Sequence, residues 1–365
     1  MNNKKTFVLL VLVIALLGFL PANALAQEHG DLASEEHSDE SHEEGKFDPA
    51  TYIMEHIADS HEWHLFTRAN GDHVSVYLPV ILWSKDDGLV MFMSSKLAHG
   101  HEYRGFKLVE EGDLEGRIAK VKDDGTIDEE NLPLDLSITK TVAGMMVAAL
   151  ILLLLFISMA KSYKKNGIST PRGLQSFLEP VVLFVRDDIA VPNIGEHRYA
   201  KFMPYLLTVF FFILINNLMG LIPIIPGGAN VTGNIAVTFT LAFMTMIITN
   251  TSGNKDYWKH IFNTPGVPWW LKYPIPLMPL VEFIGVIAKP FALMIRLFAN
   301  MAAGHIILLS LVSLIFIFNS LSVAPISVAF ALFMDCLELL VAFLQAYVFT
   351  LLSALFIGLA VQEHH

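Results

Sequence analysis

Hydrophobic positions fall along this chain in long blocks, in short alternating runs, or hardly at all, depending on the region. From 138 onward they gather at 138–160, 202–224 and 232–250, then run almost unbroken from 274 to 361, thinning only near Asn319, Ser320 and Pro325. A helix needs about 20 apolar residues to cross roughly 30 Å of hydrocarbon, so each block predicts a membrane span. Dividing the last stretch near Asn319 predicts two arms, 275–318 and 322–361. Each arm is about 60 Å long at 1.5 Å per residue, roughly twice the membrane core, so it is either strongly tilted or broken in two. Between Phe291 and Ala324 there is no proline and only Gly304 to break the first arm. That favours a long, tilted helical hairpin.

Over 47–136 the apolar runs are short. The runs 74–83 and 89–94 flank Lys85-Asp86-Asp87-Gly88, and Asp-Gly between two apolar runs predicts a β-hairpin. Residues 172–192 mix apolar positions with Arg172, Glu179, Arg186, Asp187 and Asp188, as a helix lying in the membrane interface would. At the start, Lys4 and Lys5 precede an apolar stretch over 7–20, and Ala24-Leu25-Ala26 suits cleavage before Gln27. This predicts a signal peptide over 1–26, with an uncleaved anchor helix as the alternative. Residues 27–46 are acidic and rich in histidine, including His29, His37 and His42. They cannot bury a core, and they predict a solvated, disordered segment. The fold class expected is therefore an all-α polytopic membrane protein of about five transmembrane helices over 138–361, ending in a long tilted hairpin. A small strand-rich extracytoplasmic domain over 47–136 precedes it.

Composition sharpens the orientation. The 365 residues are 54% hydrophobic, with mean hydropathy +0.52, and the net charge is −11. That charge is uneven: residues 28–138 carry 26 acidic and 9 basic side chains, whereas 139–365 carry 9 and 13. This asymmetry suits two compartments rather than nucleic-acid binding. Lysine and arginine concentrate in 161–201 and 251–273, while 226–231 holds none. The positive-inside rule then sets those two segments and the C-terminus in the cytoplasm and the N-terminal domain in the periplasm, across a bacterial inner membrane. The signal-peptide reading gives the same orientation. Cys336 is the only cysteine, which excludes a disulfide framework or cysteine zinc site. In His61-Glu62-Trp63-His64 the histidines stand three apart rather than four, so the metalloprotease spacing fails. No cofactor is expected, and no phosphate-cradling glycine loop is present.

Ionisable groups inside hydrocarbon are unfavourable by roughly 3 kcal/mol each and mark pathways or sites. Here they collect in the last two arms: Glu282, Lys289, Arg296 and His305 in one, Asp335 and Glu338 in the other. The earlier spans offer mainly Asn216 and Asn217. Glu282, Lys289 and Arg296 are seven apart and share a face, to which Asn300 adds an i+4 neighbour. Arg296 and His305, nine apart, point about 180° from each other around the helix. Glu338 and Gln345 are again seven apart, with Asp335 near that face. Arginine does not deprotonate in a protein and is a fixed barrier to protons, whereas histidine and a carboxylate can relay them. The alternatives are a structural ion pair of Arg296 with Glu282 or Asp335, and an interhelical hydrogen bond for His305.

Lys289-Pro290-Phe291-Ala292-Leu293-Met294-Ile295-Arg296-Leu297-Phe298-Ala299-Asn300-Met301 resembles the signature of ATP synthase subunit a, the stator subunit beside the rotating c-ring. Asn217-Leu218-Met219-Gly220-Leu221-Ile222-Pro223, Thr232-Gly233-Asn234-Ile235-Ala236 and the stretch from Glu338 to Gln345-Ala346 are similar to that family's spans. The resemblance covers about 170–361 and leaves 27–135 aside. It implies that Arg296 is the essential arginine facing each c-subunit carboxylate, with Asn300, Gln345 and Asn217 as polar neighbours of the ion path. Glu282 matches a cytoplasmic-side acid of the exit half-channel. The family commonly carries an acid nine residues after the arginine and a histidine seven before the glutamine; here those positions are His305 and Glu338, so the pair is exchanged. Gly220 stands where some members have an acid. Ion translocation without catalysis is implied, with the c-ring, the peripheral-stalk b subunits and, indirectly, the catalytic head as partners within the lipid bilayer. A self-contained secondary transporter would call for internal repeats, and an intramembrane hydrolase for a nucleophile or metal-ligand set; the sequence offers neither.

Overall fold

In a computed structural model of the protein, the described residues run from 53 to 362, except 55–56, 68–72, 110–111, 113, 123–124, 130, 167–172, 223–227, 263–276 and 319–322. The expected signal peptide over 1–26 and acidic segment over 27–46 lie outside the described residues.

Short strands come first. β1 (Glu62–Thr67) pairs antiparallel with β2 (His73–Tyr77). β3 (Pro79–Ser84) lies between β4 (Gly88–Met93) and β7 (Leu134–Asp135). β5 (Phe106–Leu108) pairs with β6 (Ile118–Lys120). The apolar run 74–83 divides at Leu78 into strands of two different sheets. The β3–β4 hairpin turns through 85–87, and Gly88 takes a φ of +66°, the left-handed region open to glycine. Val80, Leu82, Val90, Leu97, Phe106 and Ile118 close a small core between the sheets.

This strand region is fastened to the first long helix, α1 (Lys140–Asn166). Leu136 N–H donates to Ile81 O and Ile138 N–H to Pro79 O, so the chain leaves the sheet and enters α1 without a loose linker. Asp59 Oδ1 accepts from Thr141 N–H at 2.9 Å, satisfying one of the orphan donors at a helix start. His61 Nε2 lies 2.7 Å from Asp135 Oδ2. Burial alone would raise the Asp135 pKa, but His61 and the Ser137 donors hold the carboxyl below its ordinary range. Trp63 packs into the core formed by the helices.

The helices follow as α2 (Leu174–Phe184), a π-helical stretch (Val185–Ala190), α3 (Val191–Ile194), α4 (Tyr199–Gly220), α5 (Ile235–Ser252), α6 (Lys255–Phe262), α7 (Leu277–Ile317) and α8 (Ala324–Val361). Where one regular helix is expected over 172–192, the backbone winds wider between Pro180 and Pro192. Proline supplies no N–H to the helical ladder. α1, α4, α5, α7 and α8 are long and apolar enough to cross a membrane. α7 has 41 residues and α8 has 38, each a continuous helix, and α7 passes through Pro290 unbroken. Gly304 therefore breaks nothing.

α8 packs against α4, α5 and α7, and α7 against α5 and α8. Leu206, Val209, Phe210 and Ile213 of α4 meet Leu293 and Leu297 of α7 and Phe349 and Ile357 of α8 in one core. Burial is lopsided: 67% of the apolar window of α4 is inside, against 11% for α7. α7 is thus a peripheral helix with most of its surface uncovered. One end of the bundle gathers the basic loops, where the Arg198 guanidinium and Asn254 Nδ2 both donate to Val361 O at the end of α8. The other end carries the strand region, and there Gly144 of α1 lets Ala229 and Val231 approach closely.

Candidate functional site

The intramembrane polar groups distribute over three places on α7 and its neighbours. Near the basic end, Glu282 Oε1 lies 3.9 Å from His260 Nδ1 of α6. Lys289, one heptad on, rests its Nζ 5.6 Å from the centre of the Phe356 ring of α8, a distance at which a cation is attracted to an aromatic face. Beside it opens a small, shallow cleft lined by Thr245, Thr249, Asn250, Tyr257, Lys289 and Phe356. The Tyr257 hydroxyl donates to Asn250 Oδ1 at 3.0 Å. Burial raises the Tyr257 pKa, and the nearby Glu282 charge adds to the effect.

Midway along α7, Arg296 and Asn300 are both exposed, while Leu293, Met294, Leu297 and Met301 on the opposite side are buried. Arg296 forms no ion pair among the described residues, with Glu282, Asp335 or any other carboxylate. The structural ion pair weighed from the sequence is absent from this site.

The third place is where α4, α7 and α8 meet. Glu338 of α8 is buried, 7% exposed, and its carboxylate fits against Gly304: a Cβ added there would lie 2.7 Å from Oε1. Neither Glu338 oxygen has a hydrogen-bond partner among the described residues. His305, the next residue of α7, is half-buried and directs Nε2 toward Gly220 of α4, 3.6 Å from where a Cβ would stand. The carboxylate from α8 thus sits against Gly304 and the imidazole springs from the next position of α7, each making use of a glycine for space. Gln345, two turns along α8, is buried on the same face. Asn217 is fully buried and joins three elements: its Nδ2 donates to Ala342 O at 3.3 Å and its Oδ1 accepts from Thr232 Oγ1 at 2.6 Å. Asp335, three residues before Glu338 on α8, is exposed while Glu338 and Gln345 are buried.

Residues 142–358 match the family described as ATP synthase A chain. The chain belongs to the ATP synthase A chain family. The matched span takes in all five long helices, apart from their extreme ends, with Arg296, His305 and Glu338 inside it. Among similar relatives, ATP synthase subunit a of Chloroherpeton thalassium is 50% identical over 63% of this chain and 69% of its own length. Subunit a 2 of Chlorobaculum tepidum is 51% identical over 62% of this chain and 64% of its own. Subunit a of Myxococcus xanthus is 47% identical over 64% and 75%. The chain thus spans about two thirds to three quarters of these relatives. Residues 52–138 separately match a domain of unknown function (DUF8433).

Some residues of the site escape a reading by sequence. Thr232 lies in a loop, and only the folded chain brings it to Asn217. Tyr205, Thr245 and Ser353 form a buried hydroxyl chain, with 2.6 Å between the first two and 3.4 Å between the last two. Hydroxyl residues in apolar runs are the one signal that hints at it.

Proposed function

We propose that the chain carries protons through the membrane sector of a rotary ATP synthase, providing two half-channels to a c-ring with Arg296 between them. The observation that carries this reading is Arg296 itself: a permanent charge, exposed at mid-helix on a largely uncovered apolar helix, with no carboxylate beside it among the described residues. An unpaired arginine in hydrocarbon is expensive, and a carboxylate brought by a passing partner would satisfy it. The long α7–α8 hairpin, tilted to fit the membrane, would lie along the ring.

In this mechanism a proton from the periplasm reaches the His305/Glu338 junction, where imidazole and carboxylate hand it inward, and neutralises a c-ring carboxylate. The neutral group can then face lipid. After nearly a full turn it meets the cytoplasmic half-channel, with Glu282 at its edge, and releases the proton beside Arg296, whose charge favours the carboxylate form. Asn300, Gln345 and Asn217 furnish polar neighbours, and Asp335 lies outside the buried junction. The membrane potential supplies about 2.3 kcal/mol per charge per 100 mV. The basic loops and the C-terminus are cytoplasmic and the strand region periplasmic. The chain is non-catalytic: nucleotide chemistry belongs to the head, reached through the ring and the peripheral-stalk b subunits.

The test is proximity. With Cys336→Ser as background, Arg296→Cys should form a disulfide with a cysteine set beside the c-subunit carboxylate in the assembled complex. No cross-link, with both variants assembled, would remove the shared interface.

A further inference from the structure

The β4-β3-β7 sheet has apolar side chains on both faces. Val80, Leu82 and Val90 point into its own core. On the other face Trp83 pairs across to Leu89 and Leu134, with Met91 and Met93 beyond. These five residues are between 45% and 59% exposed. An antiparallel sheet with one wet face alternates apolar-in with polar-out, and a contiguous apolar patch marks an interaction surface. Among the described residues of these strands, no charged side chain interrupts this face. The charges of the hairpin stand at its tip, where Asp86 and Asp87 pair with Lys120.

What covers the face follows from where it leads. Leu134, Leu136 and Ile138 alternate onto this same side, and the Leu136 and Ile138 N–H groups are held by β3. Two residues later the chain is α1, which exposes an apolar stripe of its own at Met146, Leu150, Leu154 and Ile157. The sheet is therefore joined rigidly to the point where the chain enters the bilayer. Tryptophan, leucine and methionine beside the start of a span suit the headgroup–acyl boundary, where Trp is enriched. We infer that this sheet face is a lipid-binding surface, lying on the bilayer interface next to α1 and fixing the strand region against the membrane.

Spin labels test this in the assembled complex reconstituted into phosphatidylcholine–phosphatidylglycerol vesicles, with Cys336→Ser as background. Nitroxides would be attached at Met91→Cys and, separately, at Leu89→Cys. References are Leu150→Cys on α1 and Asp86→Cys at the hairpin tip. Collision with oxygen reports lipid, and collision with a water-soluble nickel chelate reports solvent. The expected result is an oxygen-to-nickel ratio at 91 and 89 shifted well above that at 86 and toward that at 150. Nickel-dominated collisions would show a face open to water and overturn the inference. Access to neither reagent would show a protein covering the face, and would overturn it as well. Either label alone decides the question if the other variant does not assemble.

Discussion

Replacing Gly304 with alanine separates the stability of the helix pair from the placement of its buried carboxylate. The added Cβ would stand 2.7 Å from Glu338 Oε1, 3.1 Å from Cδ and 3.4 Å from Cγ, while ordinary contact begins at 3.4 Å. The carboxylate must withdraw by the difference between 2.7 and 3.4 Å, about 0.7 Å. Because Oε1 and Oε2 hold no hydrogen bonds among the described residues, the side chain is free to turn, and an off-rotamer displacement costs roughly 0.5–1.5 kcal/mol. Alanine returns about 1 kcal/mol of helix propensity relative to glycine. The two nearly cancel, so the complex should assemble normally. Proton transfer is less forgiving: a 1 Å misplacement lowers rates by up to about 10²-fold. ATP-driven proton pumping in inverted vesicles should fall at least tenfold (on the order of the same geometric effect) at wild-type levels of complex. Gly304→Val should lose more. Wild-type pumping by both assembled variants would mean that the fit of Glu338 against Gly304 has no part in the pathway.

The exchanged pair can be tested directly: His305→Glu or Glu338→His alone should each depress pumping, and the double exchange should recover part of it. Two inert single variants would count against a relay that needs both groups. Asn217→Ala removes two buried hydrogen bonds and leaves the Thr232 hydroxyl and the Ala342 carbonyl without them, so about 1–3 kcal/mol of stability should be lost, read as earlier thermal unfolding in detergent. The Asp135 carboxylate, held low in pKa, contributes stability that is present above its unfolded value near 4 and disappears as pH falls through the lower folded value. Hydrogen exchange around 59–61 and 134–141 should therefore accelerate only below about pH 4 in the wild type. Asp135→Asn should exchange faster at neutral pH and lack the acid step.

The parts legible in the sequence are those that depend on local pattern. Blocks of about twenty apolar residues announce spans whatever their neighbours are, and Asp87-Gly88 marks a turn by its own backbone preference. What sequence hides depends on the register between distant helices. Gly304 reads as a weak point of α7, yet it is the notch for Glu338, which only the α7–α8 register reveals. The heptad of Glu282, Lys289 and Arg296 reads as one face, but a straight helix drifts about 20° per heptad. Over two heptads the stripe moves from half-buried positions beside α6 and α8 to the exposed Arg296. Asp335, three residues before Glu338, is about 60° away around the helix, enough to leave it outside when Glu338 is buried. Trp63 stands in a false zinc pattern in the sequence, and in the fold it anchors the strand region on the helical core.

If Arg296 keeps two half-channels apart, its loss will show in ATP-driven proton pumping by Arg296→Ala complexes in inverted vesicles. Pumping should be abolished while the complex remains assembled. Undiminished pumping without the arginine would contradict that role.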